Sequence, residues 1–417
     1  MAMIGSQQQL RDKYGAIANR AAIVGILGII GLAAGWLLDA DAFYESYMFG
    51  YIFWLTITLG MIGWMLLHNL TAGKWGFTIR RMLQAATFSG SFARSPVLLM
   101  AVLVIPILIG GHHFYHWMHA EAVNDPTLVA KSFYLNEPFW YARLAFYFVF
   151  WAGITVVLRK MLDREEQTLQ TNESKLRAIQ RISAGGLVVF MLTVNFAMTD
   201  LVMSIEAHWF STMYGIIMLI GGVLSAIALS NGMTVMSSKY RPFSDYVDTK
   251  TLHDLGNLMF ALTVFWAYVS FSQYMIIWSA NLSEEASWYL KRTDGVYEWI
   301  GYGLLIFHFA FPFIILIQRK FKRNPHLLRR MAIYVITVHF FDMFWQIKPA
   351  FQKVGDTTLN FHLLDIAAVA GIGGIWLWMY LTGLQKTNRP LLPPHDFRMR
   401  GAKPVIEESN EHQTAGA

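Results

Sequence analysis

NFAMTDLVMSIEAHWFSTMYG, residues 195–215, joins two membrane-length apolar stretches through a short polar junction. One helix is expected to end near Met203 and the next to begin near His208, which makes a tight hairpin at a membrane face. Asp200, Glu206 and His208 all stand within it. Ionisable groups beside hydrocarbon are costly and are generally kept for a use. This hairpin therefore bears on both fold and function.

The flanking sequence sets the class. The 417 residues are 55% hydrophobic and only 14% charged, with a mean hydropathy of +0.39; soluble domains carry about 25% charged residues. Apolar runs recur at 20–38, 47–68, 95–114, 139–160, 182–203, 208–230, 254–279, 297–318, 329–347 and 362–383, each near the length that crosses a bilayer. The expected fold is an all-α integral membrane protein of ten transmembrane helices. Residues 1–19 form a leader, 20–385 the membrane domain and 386–417 a tail rich in proline and charge. The stretch 74–93 (KWGFTIRRMLQAATFSGSFA) is too polar and too short to span, and reads as a helix lying at the interface. The loop 161–181 reads as a short solvated helix with charge pairs. The tail lacks the composition for a core of its own.

Charge orients the chain. The N-terminal segment and every second connection after it hold 27 of the 33 Lys and Arg, the alternate connections hold 5, and Arg143 lies inside a span. This asymmetry places both termini in the cytoplasm and the 195–215 hairpin outside. The net charge of +6 is therefore a topology signal and does not point to nucleic acid. The absence of cysteine excludes Cys-ligated iron–sulfur clusters, c-type haem attachment and disulfides within this chain. The first apolar run lacks a cleavage site and reads as a retained anchor.

The embedded polar residues fall into three depths. At the outer face are His112, His113, His116 and His119 after span three, Arg143 in span four, Asp200, Glu206 and His208. Two readings compete. His112, His113, Arg143 and Asp200 converge on a quinone pocket, where a carboxylate–His pair takes the quinol proton. Alternatively, Arg143 and Asp200 form a structural ion pair beside a wetted His loop. Near mid-depth lie His308 and His339, with Asp342 and Gln346 further along the same span as His339. They read as a proton relay, as satisfied core histidines, or as axial ligands of a b-type haem; the Phe-rich spans around them argue against a macrocycle. Tyr268 and Ser272, one turn apart on span seven, extend a relay. At the cytoplasmic side, His253, Asp254 and His68 extend it again, although His253–Asp254 also serves as a helix start. His362 and Asp365 open span ten, where the carboxylate suits a helix N-terminus. HHFYHWMH (112–119) is a weak metal candidate, and no phosphate-binding loop or nucleophile elbow occurs. A secondary transporter is a further class, but Pro106 and Pro312, the prolines inside spans, do not mark matched broken helices.

The segments MTDLVMSIEAHWFSTMYG (198–215) and HDLGNLMFALTVFWAYVSFSQYMIIWSANLSEE (253–285) resemble the F subunit of bacterial alternative complex III, a quinol:cytochrome c oxidoreductase. The resemblance extends to the NrfD/polysulfide reductase membrane-subunit family and covers most of the chain. Relatives carry Pro at the position of Ala207. The resemblance implies two four-helix bundles, spans two to five and six to nine, with spans one and ten peripheral. It implies a haem-free subunit of the bacterial inner membrane that scaffolds the complex and conducts protons; the path read from the residues themselves runs through Asp200, Glu206 and His208 outside, His308, His339 and Asp342 in the middle, and His253, Asp254 and His68 inside. Haems and iron–sulfur clusters then belong to partner subunits, among them the iron–sulfur and cytochrome c subunits, and the quinol site is assigned to the homologous C subunit.

Overall fold

A computed structural model describes residues 5–166, 173–352, 358–387 and 389–392. The first four residues of the leader, the centre of the 161–181 loop and the tail beyond 392 lie outside them. All regular structure in the described residues is helical. The longer elements are α1 (Gln7–Leu38), α2 (Ala40–Thr71), α3 (Lys74–Thr87), α4 (Pro96–Leu103), α5 (Ile105–Ile109), α6 (Glu137–Glu166), α7 (Glu173–Leu201), α8 (Tyr214–Ser237), α9 (Thr249–Ala280), α10 (Ser283–Leu290), α11 (Val296–Gly303), α12 (Phe311–Leu316), α13 (Pro325–Ile347) and α14 (Leu363–Gln385). A π-helical turn, Leu304–Ala310, fuses α11 and α12.

Among the described residues, eight helices are long and apolar enough to cross a membrane. Two expected spans differ. The third is a shorter apolar segment, Pro96–Ile109, broken at Val104 just before Pro106. Proline has no N–H and its ring clashes with the preceding turn, so a helix rarely runs through it unbroken. The ninth, α13, has spanning length, but Arg329, Arg330, His339, Asp342 and Gln346 dilute its apolar character. Pro312 has a gentler effect on span eight. The π turn before it widens the helix and absorbs the strain, and His308 sits in that turn. The opening hairpin is also looser than its sequence suggests. α7 stops at Leu201, a single 3₁₀ turn covers Met203–Glu206, and α8 starts only at Tyr214.

Two helices form the centre. Most of α2 and α8 is buried, and they cross where Gly222 of α8 meets the main chain of α2 at Thr56. A side chain at Gly222 would collide with the Thr56 carbonyl, so this close approach needs glycine. Around this crossing, α4, α6 and α7 pack on the α2 side, whereas α9, α13 and the π turn pack on the α8 side.

α1 and α14 form an antiparallel pair, and α14 ties it to α2 through Trp54 Nε1, which donates to the Val369 carbonyl at 2.9 Å. Gly28 and Gly371 face each other with their backbones in contact, the small-residue seam that lets membrane helices approach closely. Gly28→Leu is expected to lower the melting temperature of the purified chain, because overpacking of this kind costs about 1–3 kcal/mol. Thermal unfolding followed by Trp fluorescence checks it. Both described chain ends lie at one end of the helices, where Arg11 donates to the Arg389 carbonyl.

α3 does not lie on an outer surface. Gly76 to Thr87 are all buried against α2, α8 and α14. Its charges are matched from within the chain. Arg81 donates to Glu166 at 2.6 Å, Arg80 pairs with Glu166 at 3.1 Å, and Arg81 and Arg159 both donate to Gln84. The start of the tail joins this network: Arg389 reaches Asp163 and Glu166, and Leu391 and Leu392 are buried.

Candidate functional site

The mid-depth polar residues meet at the α8–α13 contact. His308, His339 and Asp342 are fully enclosed, and their ligand atoms all lie within 4.8 Å of one another. α13 supplies His339 and Asp342 three residues apart, hence on one face. The glycine crossing supplies the rest: Thr56 of α2 reaches His339, and Gly221 of α8 leaves the space that the imidazole and carboxylate fill.

The hydrogen bonds constrain the protons. Thr56 Oγ1 donates to the Phe53 carbonyl at 2.9 Å, so toward His339 Nε2, 3.3 Å away, it acts as acceptor. His339 therefore carries a proton on Nε2. Its Nδ1 faces Asp342 Oδ2 at 3.7 Å. That separation is beyond hydrogen-bond reach, so the two groups are neighbours and not a bonded pair. Trp266 Nε1 donates to the same oxygen at 3.2 Å, while its ring lies 3.9 Å from the His308 ring at a steep angle. Both His308 nitrogens, His339 Nδ1 and Asp342 Oδ1 are buried without a hydrogen-bond partner. Buried polar atoms in this condition are rare and ask for a role. The donor set, two imidazoles and a carboxylate, also has the chemistry of a transition-metal site. Trp266 fills the space beside His308 that a macrocycle needs.

The hairpin residues separate. Asp200 belongs to the α6–α7 contact and is completely buried. Arg143 holds it with two bonds of 2.9 and 2.8 Å, Tyr147 donates at 2.9 Å, and Trp140 donates to its carbonyl. Glu206 instead pairs with Arg292 and Lys291, both at 3.0 Å. Arg292 also donates to the Gln346 carbonyl, which places Glu206 one link from the turn beyond Asp342. His208 points away to Asp125 at 2.6 Å.

At the hairpin end, a vestibule of about 750 Å³ collects His112, His113, His116, His119, Glu206 and His208. Arg143 and Asp200 do not line it. The proposed grouping of His112 and His113 with that pair is thus split between the vestibule and the α6–α7 contact. His113 is held by Asp41 at 2.8 Å and stacks on Tyr44. At the opposite end, His68 packs against Trp75 and Gly76, and His253 and Asp254 lie in the first turns of α9. Asp365 opens α14, accepts from the His362 N–H, and pairs with the buried Lys348.

The His208 hydrogen bond, joined by the Thr127 and Leu128 N–H groups, holds the Asp125 carboxyl below its usual range. A depressed carboxyl pKa contributes order that is present at neutral pH and fades as pH falls through the folded value. Amide protection factors across 120–131 are expected to fall below about pH 4, and Asp125→Asn is expected to remove that pH dependence.

No protein-family model matches this chain, and no curated protein does.

Several participants escaped the sequence reading. Thr56, Gly221 and Trp266 carry no motif and are assembled only by the helix crossing. Arg292 did leave a signal: it is one of few cations in the outer connections, and Lys131, Lys291, Arg292 and Lys348 all find carboxylate or carbonyl partners there. Arg80, Arg81 and the DREE run at 163–166 are complementary in charge, a pairing that sequence distance hides.

Proposed function

We propose that the chain is a haem-free integral membrane subunit of a bacterial quinol-oxidising respiratory complex, and that its own task is to carry protons. The carrying observation is the enclosed cluster of His308, His339 and Asp342, whose ligand atoms lie within 4.8 Å of one another and in which both His308 nitrogens, His339 Nδ1 and Asp342 Oδ1 have no hydrogen-bond partner. Intramembrane ionisable groups arranged this way suit proton relays. Toward the hairpin end, the line continues through Gln346 and Arg292 to Glu206 and the His-rich vestibule. Toward the other end, α8 carries buried Ser225 and Asn231, whose side-chain oxygens Oγ and Oδ1 lack partners.

The resemblance to the alternative complex III F subunit supports the remainder of the reading. This comprises ten spans in two bundles split along the α2–α8 crossing, both termini in the cytoplasm, the inner membrane, and partners that include the C subunit and the iron–sulfur and cytochrome c subunits. Asp200 has a separate role in this reading. Tied to Arg143, it locks α6 to α7 and stays outside the route.

Proton release and quinol oxidation by the assembled complex, measured in vesicles for His339→Phe and Asp342→Leu, test the reading. Full coupling in both variants ends it.

A further inference from the structure

The cluster at the α8–α13 contact holds electron pairs that find no partner among the described residues. His339 donates its Nε2 proton to Thr56, so its Nδ1 presents a lone pair to Asp342 Oδ2 at 3.7 Å. That gap is longer than the roughly 2.7–3.2 Å of an N–H···O bond. It matches two ligands on one metal ion: bonds of about 2.0–2.1 Å at a near-tetrahedral centre put their ends roughly 3.2–3.8 Å apart. His308 completes the group. The π turn carries it to the pair, both its nitrogens are buried without a partner, and the ligand atoms of all three side chains lie within 4.8 Å of one another. Such π turns are frequent at functional sites.

The surroundings are those of a ligand shell. A metal-bound imidazole generally donates its second N–H to a fixed acceptor, which sets the tautomer; Thr56 does this for His339. Trp266 Nε1 donates to Asp342 Oδ2 and orients the carboxylate. Gly221 leaves a notch beside both groups: a Cβ there would stand 3.1 Å from His339 Nδ1 and 3.3 Å from Asp342 Oδ2. The unpartnered atoms are closed to water, but an ion bound directly between them fills the gap between its ligands and needs no water-sized void. A cavity of about 810 Å³ beside α9 provides a way in, reaching Asp342 and carrying Gln273 and Glu298 along its wall. Two imidazoles and one carboxylate favour a zinc-class ion; Mg²⁺ and Ca²⁺ prefer a shell of oxygens, and the chain has no thiolate for a softer ion.

We infer that His308, His339 and Asp342 bind one divalent first-row transition ion of the zinc class, through His339 Nδ1, one His308 nitrogen and the Asp342 carboxylate. The site is separate from the His-rich vestibule, and it stands on geometry without the proton reading. An ion here holds electron pairs that a relay would use, so metal content and proton release are measured on the same preparations.

The test uses the full chain purified in detergent, stripped with dipicolinate and titrated with Co²⁺, whose visible absorption reports an ordered nitrogen–oxygen shell. Saturation at about one ion per chain is expected, with displacement by Zn²⁺ and none by excess Mg²⁺. His308→Phe and Asp342→Leu are expected to weaken binding roughly a hundredfold or more, and Thr56→Val, which removes the acceptor behind His339, about tenfold. His116→Ala combined with His119→Ala should leave binding unchanged. No saturable absorption, absorption that survives His308→Phe, or loss in the vestibule double variant overturns the inference. Zinc-edge X-ray absorption of the unaltered chain decides the matter if a variant fails to fold: two imidazoles with oxygen are expected, and three or more imidazoles place the ion elsewhere. Binding together with full proton release in His339→Phe removes the proton reading alone. Absence of binding while His339→Phe still abolishes proton release removes this site alone.

Discussion

Arg143→Leu is expected to cost the chain most of its folded yield. The Asp200 carboxylate is completely enclosed, and the guanidinium supplies two of its hydrogen bonds. Removing it leaves a buried charge that the remaining Tyr147 hydroxyl does not neutralise. Breaking a buried pair from one side costs about 3–5 kcal/mol, set against a total of about 5–15 kcal/mol for a typical protein. The guanidinium also lies 3.8 Å from the Tyr134 ring and 4.4 Å from that of Phe139, so packing is lost as well. The double replacement Arg143→Leu with Asp200→Leu is expected to recover much of the loss, because apolar groups of similar volume often serve a buried site equally well. Melting of the purified proteins in detergent checks both. Equal stability of Arg143→Leu and the parent would show that the pair holds nothing together.

If the chain serves the proposed complex, His339→Phe is expected to uncouple it. Phenylalanine keeps the ring volume against Phe53 and Gly221 but has no proton to hold. Loss of a positioned proton-transfer group costs on the order of 10²-fold or more in rate. Proton release is expected to fall by that factor, with the chain still folded and assembled. Thr56→Val is the milder counterpart. It deletes the acceptor that fixes the Nε2 proton, an effect of about 1 kcal/mol, so a fall of about fivefold is expected. Proton uptake by vesicles holding the complex distinguishes the three proteins. A wild-type rate in His339→Phe would reduce the cluster to core packing.

The membrane architecture was legible because a bilayer imposes length and polarity on every crossing segment. α1, α2, α6 and α9 contain the apolar runs read from the sequence, α7 and α14 match theirs to within two residues, and α8 begins six residues late. The departures have local causes. Pro106 breaks the third span, and α13 exchanges apolar residues for the groups that build the site. α3 read as a helix at the membrane interface because it is too polar and too short to span; its arginines find their acidic partners 85 residues away, at the end of α6. The candidate site was legible in its titratable members, His308, His339 and Asp342, since such groups stand out in apolar sequence. Thr56, Gly221 and Trp266 did not stand out, as their chemistry depends on which helices cross. The hairpin misled for the same reason. Asp200, Glu206 and His208 are neighbours in sequence, yet they face three different partners on separate elements.

The seam between α1 and α14 has a consequence for biosynthesis. The first helix finds its main partner in the last, and the ribosome delivers that partner only after the intervening helices. At about 5–20 residues per second, α1 waits for tens of seconds in lipid before Gly371 arrives opposite Gly28. A nascent chain halted before residue 363 therefore leaves the glycine face of α1 uncovered, with its contact to α2 in place.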